Sequence, residues 1–251
     1  MENEPHFINL TEENLIHEHL CCIIRTQKLC PGIEEKRRWL ADRLTEGHVF
    51  RKLDAKATVF IEYAPLEKAW VPILGNNFLY IYCLWVDGKE KGKGYGRALM
   101  EYCIADAKAK GKSGLCMLGS TRQKHWLSDQ SFAKKFGFKA VDFTDNGYEL
   151  LCLSFDGTSP HFTAKAKAHR IANSDLTVYY DDQCPYIHQS LEIIEGVCKK
   201  NNVAFSFVKI DSLEKAKDLP SVFNNWVVFY RGEFQTVNLI LDEGSVARIL
   251  T

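Results

Sequence analysis

The chain has 251 residues, 46% of them hydrophobic and 25% charged, with 32 basic and 32 acidic side chains. That composition supports a packed core, and nothing in a chain of zero net charge argues for nucleic acid or an anionic membrane as the main partner, so neither is expected. Nine cysteines at scattered spacing point to reduced thiols, and without CxxC or paired Cys/His spacing no metal is expected. Residues 7–10 read as a short strand. Thr11 then precedes Leu15, Ile16, Leu20, Ile23 and Ile24 at mostly helical spacing. Pro31 opens a second helix that carries Trp39, Leu40 and Leu44 on one side and stops at Gly47. Residues 48–53 and 57–64 have strand composition, and 77–86 is continuously apolar, as in a strand covered on both faces.

From Arg97 to Lys110 the apolar positions define a helix, followed by the buried strand Leu115-Cys116-Met117-Leu118. Ser131 to Phe136 is a short helix ending at Gly137, and strands at 139–143 and 148–155 flank the turn Asp145-Asn146-Gly147. Residues 156–174 lose this patterning and read as a linker, or as a segment packed across a junction. Thereafter come a strand at 176–180, a helix at 187–200 and a strand at 203–210. A helical stretch at 212–218, a hairpin of 226–230 with 234–237, and a terminal helix from Glu243 complete the chain. The first 174 residues carry a slight basic excess and the rest an acidic one, which favours two units that dock. No apolar run reaches the 18 residues of a membrane span, and the acidic start, Met1-Glu2-Asn3-Glu4, is not expected to act as a signal peptide. A cytoplasmic location is expected.

Between the strand ending at Val86 and the next helix lies Lys91-Gly92-Lys93-Gly94-Tyr95-Gly96. Backbone N–H groups at a helix start point outward and the helix dipole favours an anion, while glycines allow close approach of phosphate oxygens. A dinucleotide fingerprint would need an acidic end to the following strand, which Leu115-Cys116-Met117-Leu118 lacks. A Walker loop would need a glycine at Asp106 ahead of Gly111-Lys112-Ser113. A plain glycine turn is the remaining alternative.

Lys91-Gly92-Lys93-Gly94-Tyr95-Gly96 resembles the coenzyme A motif (Q/R)-x-x-G-x-(G/A) of the GNAT superfamily, with Lys in the first position. Phe132-Ala133-Lys134-Lys135-Phe136-Gly137-Phe138 resembles the second GNAT signature, and the element order from 7 to 155 is similar. The surrounding Leu-Trp-Val and Trp-Leu-Ser-Asp look like the YoaP-type branch, in which a small extra domain follows. The resemblance implies an α/β fold, a mixed central sheet with helices on both faces, and acetyl-CoA as co-substrate. It implies pyrophosphate held by Lys91 to Arg97 and pantetheine along Leu84, Trp85 and Val86, where a backbone N–H of Leu84 or Val86 polarises the thioester. An amine, small molecule or peptide, attacks the thioester directly.

The usual thiolate-protonating Tyr falls at Ala133, which leaves Ser131, Ser128 and Cys116 as candidates. Candidates for the base are Glu62, Tyr80 and Tyr82, the tyrosines being expected on the face of Leu84, and His125. Cys184-Pro185-Tyr186 before a helix resembles the glutaredoxin corner of thioredoxin-like folds, with Ile187 in place of a second Cys. Cys184 is therefore a further catalytic candidate. The expected organisation is an acyltransferase domain over 1–155, a linker over 156–174 and a thioredoxin-like domain over 175–251. The alternative is a thiol-dependent redox or thiol-ligand protein using Cys184, with the first domain as a coenzyme-binding or regulatory module. The oligomeric state is not readable from these patterns.

Overall fold

The computed structural model describes residues 5–20, 32–122, 124 and 127–251. The apolar runs pair into a seven-stranded sheet. Its members are β1 (Phe7–Asn9), β2 (Val49–Leu53), β3 (Val59–Pro65), β5 (Phe78–Val86), β6 (Gly114–Ser120), β7 (Lys139–Phe143) and β8 (Tyr148–Ser154). The order is β1-β2-β3-β5-β6-β8-β7. Within it β5 and β6 run parallel, and the other pairs are antiparallel. α1 (Ile33–Leu44) buries Trp39 and Leu40 on one face of this sheet. α2 (Tyr95–Ala109) buries Leu99, Met100, Cys103 and Ala107 on the other, against Ile61, Leu79 and Met117. α3 (Gln130–Lys134) is capped by Asp129, whose carboxylate accepts from the Ser131 N–H.

A second sheet starts at β10 (Leu176–Tyr180) and has the order β11-β10-β12-β13, with β11 (Phe205–Lys209), β12 (Trp226–Tyr230) and β13 (Glu233–Thr236). β10 is parallel to β11 and antiparallel to β12. Around it lie α5 (Ile187–Lys200), α6 (Leu213–Lys217) and α7 (Glu243–Leu250). One apolar cluster joins Phe50, Phe60 and Tyr80 of the first sheet to Val227 and Phe229 of the second. The two sheets thus share a core, and separation would expose it to water.

Two expectations change. Residues 12–17 form turns rather than a helix: Leu15 is buried but Ile16 is exposed, so no apolar stripe develops. The rest of that expected helix, and Pro31, lie outside the described residues. The segment 156–174 is no loose linker. β9 (His161–Phe162) pairs with β4 (Ile73–Leu74), and α4 (Ala164–Ala168) is capped by the Thr163 hydroxyl. Phe162 and Ala166 are buried in the shared core, so the Ala/Lys alternation serves packing across the junction.

α6 adds a tie. Lys217 Nζ donates to the carbonyls of Leu66 at 2.8 Å and Ile73 at 3.0 Å. Burial pulls this lysine down to about 8.

Candidate active site

Parallel pairing of β5 with β6 lasts only from Phe78↔Gly114 to Tyr80↔Cys116. Beyond it the strands part, and β5 keeps only β3 as partner, out to Val59↔Val86. A bulge sits at the parting: Glu62 pairs with Cys83 and Tyr63 with Ile81, leaving Tyr82 as the extra residue. A bulge reverses the alternation of side chains beyond it. Phe78, Tyr80, Tyr82 and Cys83 consequently face the shared core, whereas Leu79, Ile81, Leu84 and Val86 face α2. The expectation that Tyr80 and Tyr82 share a face with Leu84 is therefore corrected; uninterrupted alternation does not survive the extra residue.

The parting leaves donors of β5 unpaired with β6. The Leu84 N–H donates to Ser128 Oγ at 3.2 Å, and by alternation that of Val86 points the same way. The opposite edge is occupied, since the Asp87 N–H donates to the Thr58 carbonyl. Trp85 is exposed.

The chain then turns through Gly88–Glu90 into the glycine loop. Gly92 and Gly94 both have φ +82°, in the left-handed region that disfavours side chains. Gly94 is the N-cap of α2 and no side chain caps the helix there. α2 thus begins at Tyr95, two residues before the position expected, and its first N–H groups lack intrahelical acceptors. Lys93 pairs with Glu90 at 2.8 Å and Arg97 with Glu101 at 3.4 Å, both pairs near the surface. Lys91 ends the preceding turn. The result is a row of amides with a dipole behind it and long basic side chains around it, which suits a diphosphate.

On the other face of the sheet, Glu62 is buried and each of its oxygens is engaged. Lys36 Nζ from α1 lies 2.5 Å from Oε1 and His48 Nε2 lies 3.0 Å from it. Gln183 Nε2, from the loop before α5, donates to Oε2 at 2.9 Å. Burial alone would raise the Glu62 pKa, but the Lys36 charge and the His48 hydrogen bond prevail and hold it at about 2. Burial lowers His48, so the ring is neutral and donates through Nε2. Asn225 Nδ2 donates in turn to Gln183 Oε1 at 2.6 Å. Asp181, also buried, accepts from the Gln183 N–H at 2.9 Å and is pushed by burial up to about 7.

Tyr80 donates to Asn224 Oδ1 at 3.2 Å, and Tyr82 Oη accepts from the Trp70 N–H at 2.7 Å. Burial drives both phenols upward, so at neutral pH they are neutral hydrogen-bonding groups. Ala133 is buried in the α2-side core and Cys116 in the shared core, where burial also raises its thiol. Ser131 is spent on Asp129. Cys184 is half-buried and precedes α5, its carbonyl accepting from the Ile187 N–H. Its side chain lines a cleft that also holds Glu62 and Cys83. His125 lies outside the described residues. Among those described, no cluster of three or more metal-ligating side chains occurs and no helix is long and apolar enough to cross a membrane.

The partners of Glu62 escape a reading of the sequence because they come from α1, the residue before β2 and the loop before α5, Gln183 being 121 residues away. No local pattern marks them. Only the oddity of Lys36 on an otherwise apolar helix face hinted at a buried charge.

Residues 14–138 match the family described as "Acetyltransferase (GNAT) family" and residues 205–245 the one described as "YoaP-like". The "Uncharacterized N-acetyltransferase YoaP" of Bacillus subtilis (strain 168) is 36% identical over 232 residues, 92% of this chain and 92% of that protein. Two solved structures are similar at low identity. An N-acetyltransferase from Staphylococcus aureus Mu50 shares 16% identity over 61% of this chain and 99% of its own, with a TM-score of 0.41. The PaiA N-acetyltransferase from Thermoplasma acidophilum, in complex with coenzyme A, shares 19% over 60% and 99%, with a TM-score of 0.42.

Proposed function

The chain belongs to the GNAT acetyltransferase family and carries a YoaP-like C-terminal part, and from that premise we propose that it moves an acetyl or other short acyl group from acyl-CoA to an amine. The observation that carries this reading is the parting of β5 from β6 directly ahead of the left-handed glycines that open α2. The amides of 91–97 would hold the pyrophosphate of the coenzyme, and the pantetheine would pair with the freed edge of β5. The thioester supplies the acyl group and the amine the nucleophile; the groups that bind and orient them come from this chain.

Leu84 N–H is the donor placed to polarise the thioester carbonyl. Ser128 Oγ accepts from that donor, so it lies where the carbonyl oxygen and its sulfur neighbour would enter. With Ala133 unable to donate, Ser128 is the hydroxyl best placed to protonate the departing thiolate. The second sheet would then act as a wall of the acceptor site, in a domain that begins near 175.

Calorimetry with acetyl-CoA tests the coenzyme site: saturable heat with the full chain is expected, and its absence would sink the proposal. Ser128→Ala should lower kcat about 100-fold or more, since a positioned acid typically contributes about 10²–10⁴-fold, with KM for acetyl-CoA nearly unchanged. A second reading is favoured by Cys184 facing the same cleft as Cys83: an acyl group could pass through the Cys184 thiol. A Cys184→Ser variant with undiminished acetyl transfer eliminates that route.

A further inference from the structure

Cys83 adjoins Leu84 in the chain, and Leu127 adjoins Ser128. Both Cys83 and Leu127 line the cleft between the two sheets, so this cleft meets the freed edge of β5 at the amide that Ser128 holds. Its far wall comes from the second unit: Gln183, Asn224, Asn225, Val237 and Leu239. An acceptor bound there would reach the thioester carbon from the shared-core side of the sheet.

The charge of these walls discriminates between amines. Among the described lining residues Glu62 is the one carboxylate. Its Oε1 is held by Lys36 and His48 and its Oε2 by Gln183, so its charge is already compensated inside the wall. Apart from the Cys184 thiol, the other polar side chains that close the far wall are carboxamides, and they are linked as well: Asn224 Oδ1 accepts from Tyr80 and Gln183 Oε1 from Asn225. Phe60, Leu127, Val237 and Leu239 supply apolar surface. Residues 21–31 and 123, 125 and 126, which adjoin Leu20 and Leu127 in sequence, contain no Asp or Glu.

A multiply charged amine would lose hydration in this cleft without gaining a counter-ion for each charge, which is costly. An apolar body gains from leaving water, and desolvation shifts a single ammonium toward the neutral, nucleophilic amine. Resting on the acyltransferase reading, we infer that the acceptor is a small primary amine with an apolar body, aromatic or branched alkyl, and one ionisable nitrogen, selected by the cleft wall that the second unit supplies. The nitrogen lone pair attacks the thioester carbon, the C–N bond forms and the C–S bond breaks. The nitrogen sheds one proton and the coenzyme thiolate gains one, giving the N-acyl amine and free coenzyme A.

The test uses the full chain with acetyl-CoA and one amine at a time, with chromatography and mass detection of the N-acetyl product. Benzylamine, 2-phenylethylamine and isoamylamine are set against spermidine, kanamycin and a lysyl peptide. At least one apolar monoamine is expected to exceed all three polar acceptors about tenfold or more in kcat/KM. Asn224→Asp keeps the oxygen that Tyr80 reaches and adds a charge. It should narrow the monoamine-to-spermidine ratio about tenfold while acetyl-CoA affinity by calorimetry stays unchanged. Equal or better turnover of spermidine, kanamycin or the peptide overturns the inference, as does an unmoved ratio in a variant that binds acetyl-CoA normally. Binding of acetyl-CoA with no monoamine acetylated overturns the acceptor class and leaves the coenzyme site standing. Loss of acetyl-CoA binding in the wild-type chain overturns the acyltransferase reading beneath it.

Discussion

Three nitrogen donors surround Glu62, and a second buried carboxyl, Asp181, lies close by with Lys36, Asp182 and Glu62 in its field. The two acids respond oppositely to pH. Glu62 has its pKa lowered to about 2 from an ordinary 4.5, so its contribution to stability is present above 4.5 and is lost as pH falls toward 2. Asp181 is raised from 3.8 to about 7. The folded state then holds a proton that the unfolded state releases, and stability declines as pH rises from about 4 to 7. Asp181→Asn keeps an acceptor for the Gln183 N–H and cannot ionise. Its melting temperature relative to that of the wild type should rise from pH 5 to pH 8, because only the wild type loses the stabilising proton of Asp181, while the lowered His48 and His169 act alike in both proteins. Identical pH profiles for the two proteins would refute the buried, protonated Asp181. Glu62 stood out in the sequence as a carboxylate on a strand, yet its partners are dispersed over the chain. Whether it was a solvated side chain or a buried hub was a question of distance in space.

The bulge in β5 and the start of α2 are the two elements that shape the coenzyme face. Continuous apolar character over 78–86 announces a strand, but period-two counting passes straight through an inserted residue. The bulge at Tyr82 arises from pairing with β3, and pairing is not written in one strand alone. The glycine loop is different, because its cause is local. Gly94 sits at φ +82°, where a Cβ costs about 1–2 kcal/mol. A Cβ at this position would meet no neighbouring atom within 4 Å, so crowding adds nothing. Gly94→Ala should therefore lower stability only by that amount. It should weaken acetyl-CoA binding about tenfold or more, because the chain relieves strain by re-aiming the amides. Calorimetric Kd and a thermal melt of the same sample measure both effects. Unchanged affinity would argue that these amides do not contact the coenzyme.

Across the whole molecule, the shared core binds the two sheets into one cooperative body. A tight contact between the two parts lies where Gly32, at the start of α1, meets the loop before α5. A Cβ at Gly32 would lie 2.3 Å from the Pro185 carbonyl oxygen and 3.0 Å from His188 Cδ2. The first contact is with backbone, so relief requires the loop carrying Gln183 and Cys184 to shift. Gly32→Ala is expected to cost about 1–3 kcal/mol by overpacking and to raise KM for the amine more than for acetyl-CoA. A melt and two KM measurements suffice; a variant with both KM values and the melting temperature of the wild type would dissociate this contact from the acceptor cleft. The segment 156–174 belongs to the same scale. Its Ala/Lys composition suits either a tether or a packed strap, and burial of Phe162 and Ala166 by two separate sheets makes it the strap.

Local chemistry decided a good deal in advance. Strand and helix periods, the glycines required by left-handed backbone and the anion-seeking start of α2 all follow from neighbours in the chain, whose interactions are set by covalent proximity. What proximity cannot decide is which face a side chain takes after a bulge, which charges meet in the interior, and whether two sheets share one core. Those depend on long-range pairing, where burial makes each ion seek a partner and each apolar face a cover regardless of separation along the chain. Glu62 joined to Gln183, and the cleft between them, exist only at that level.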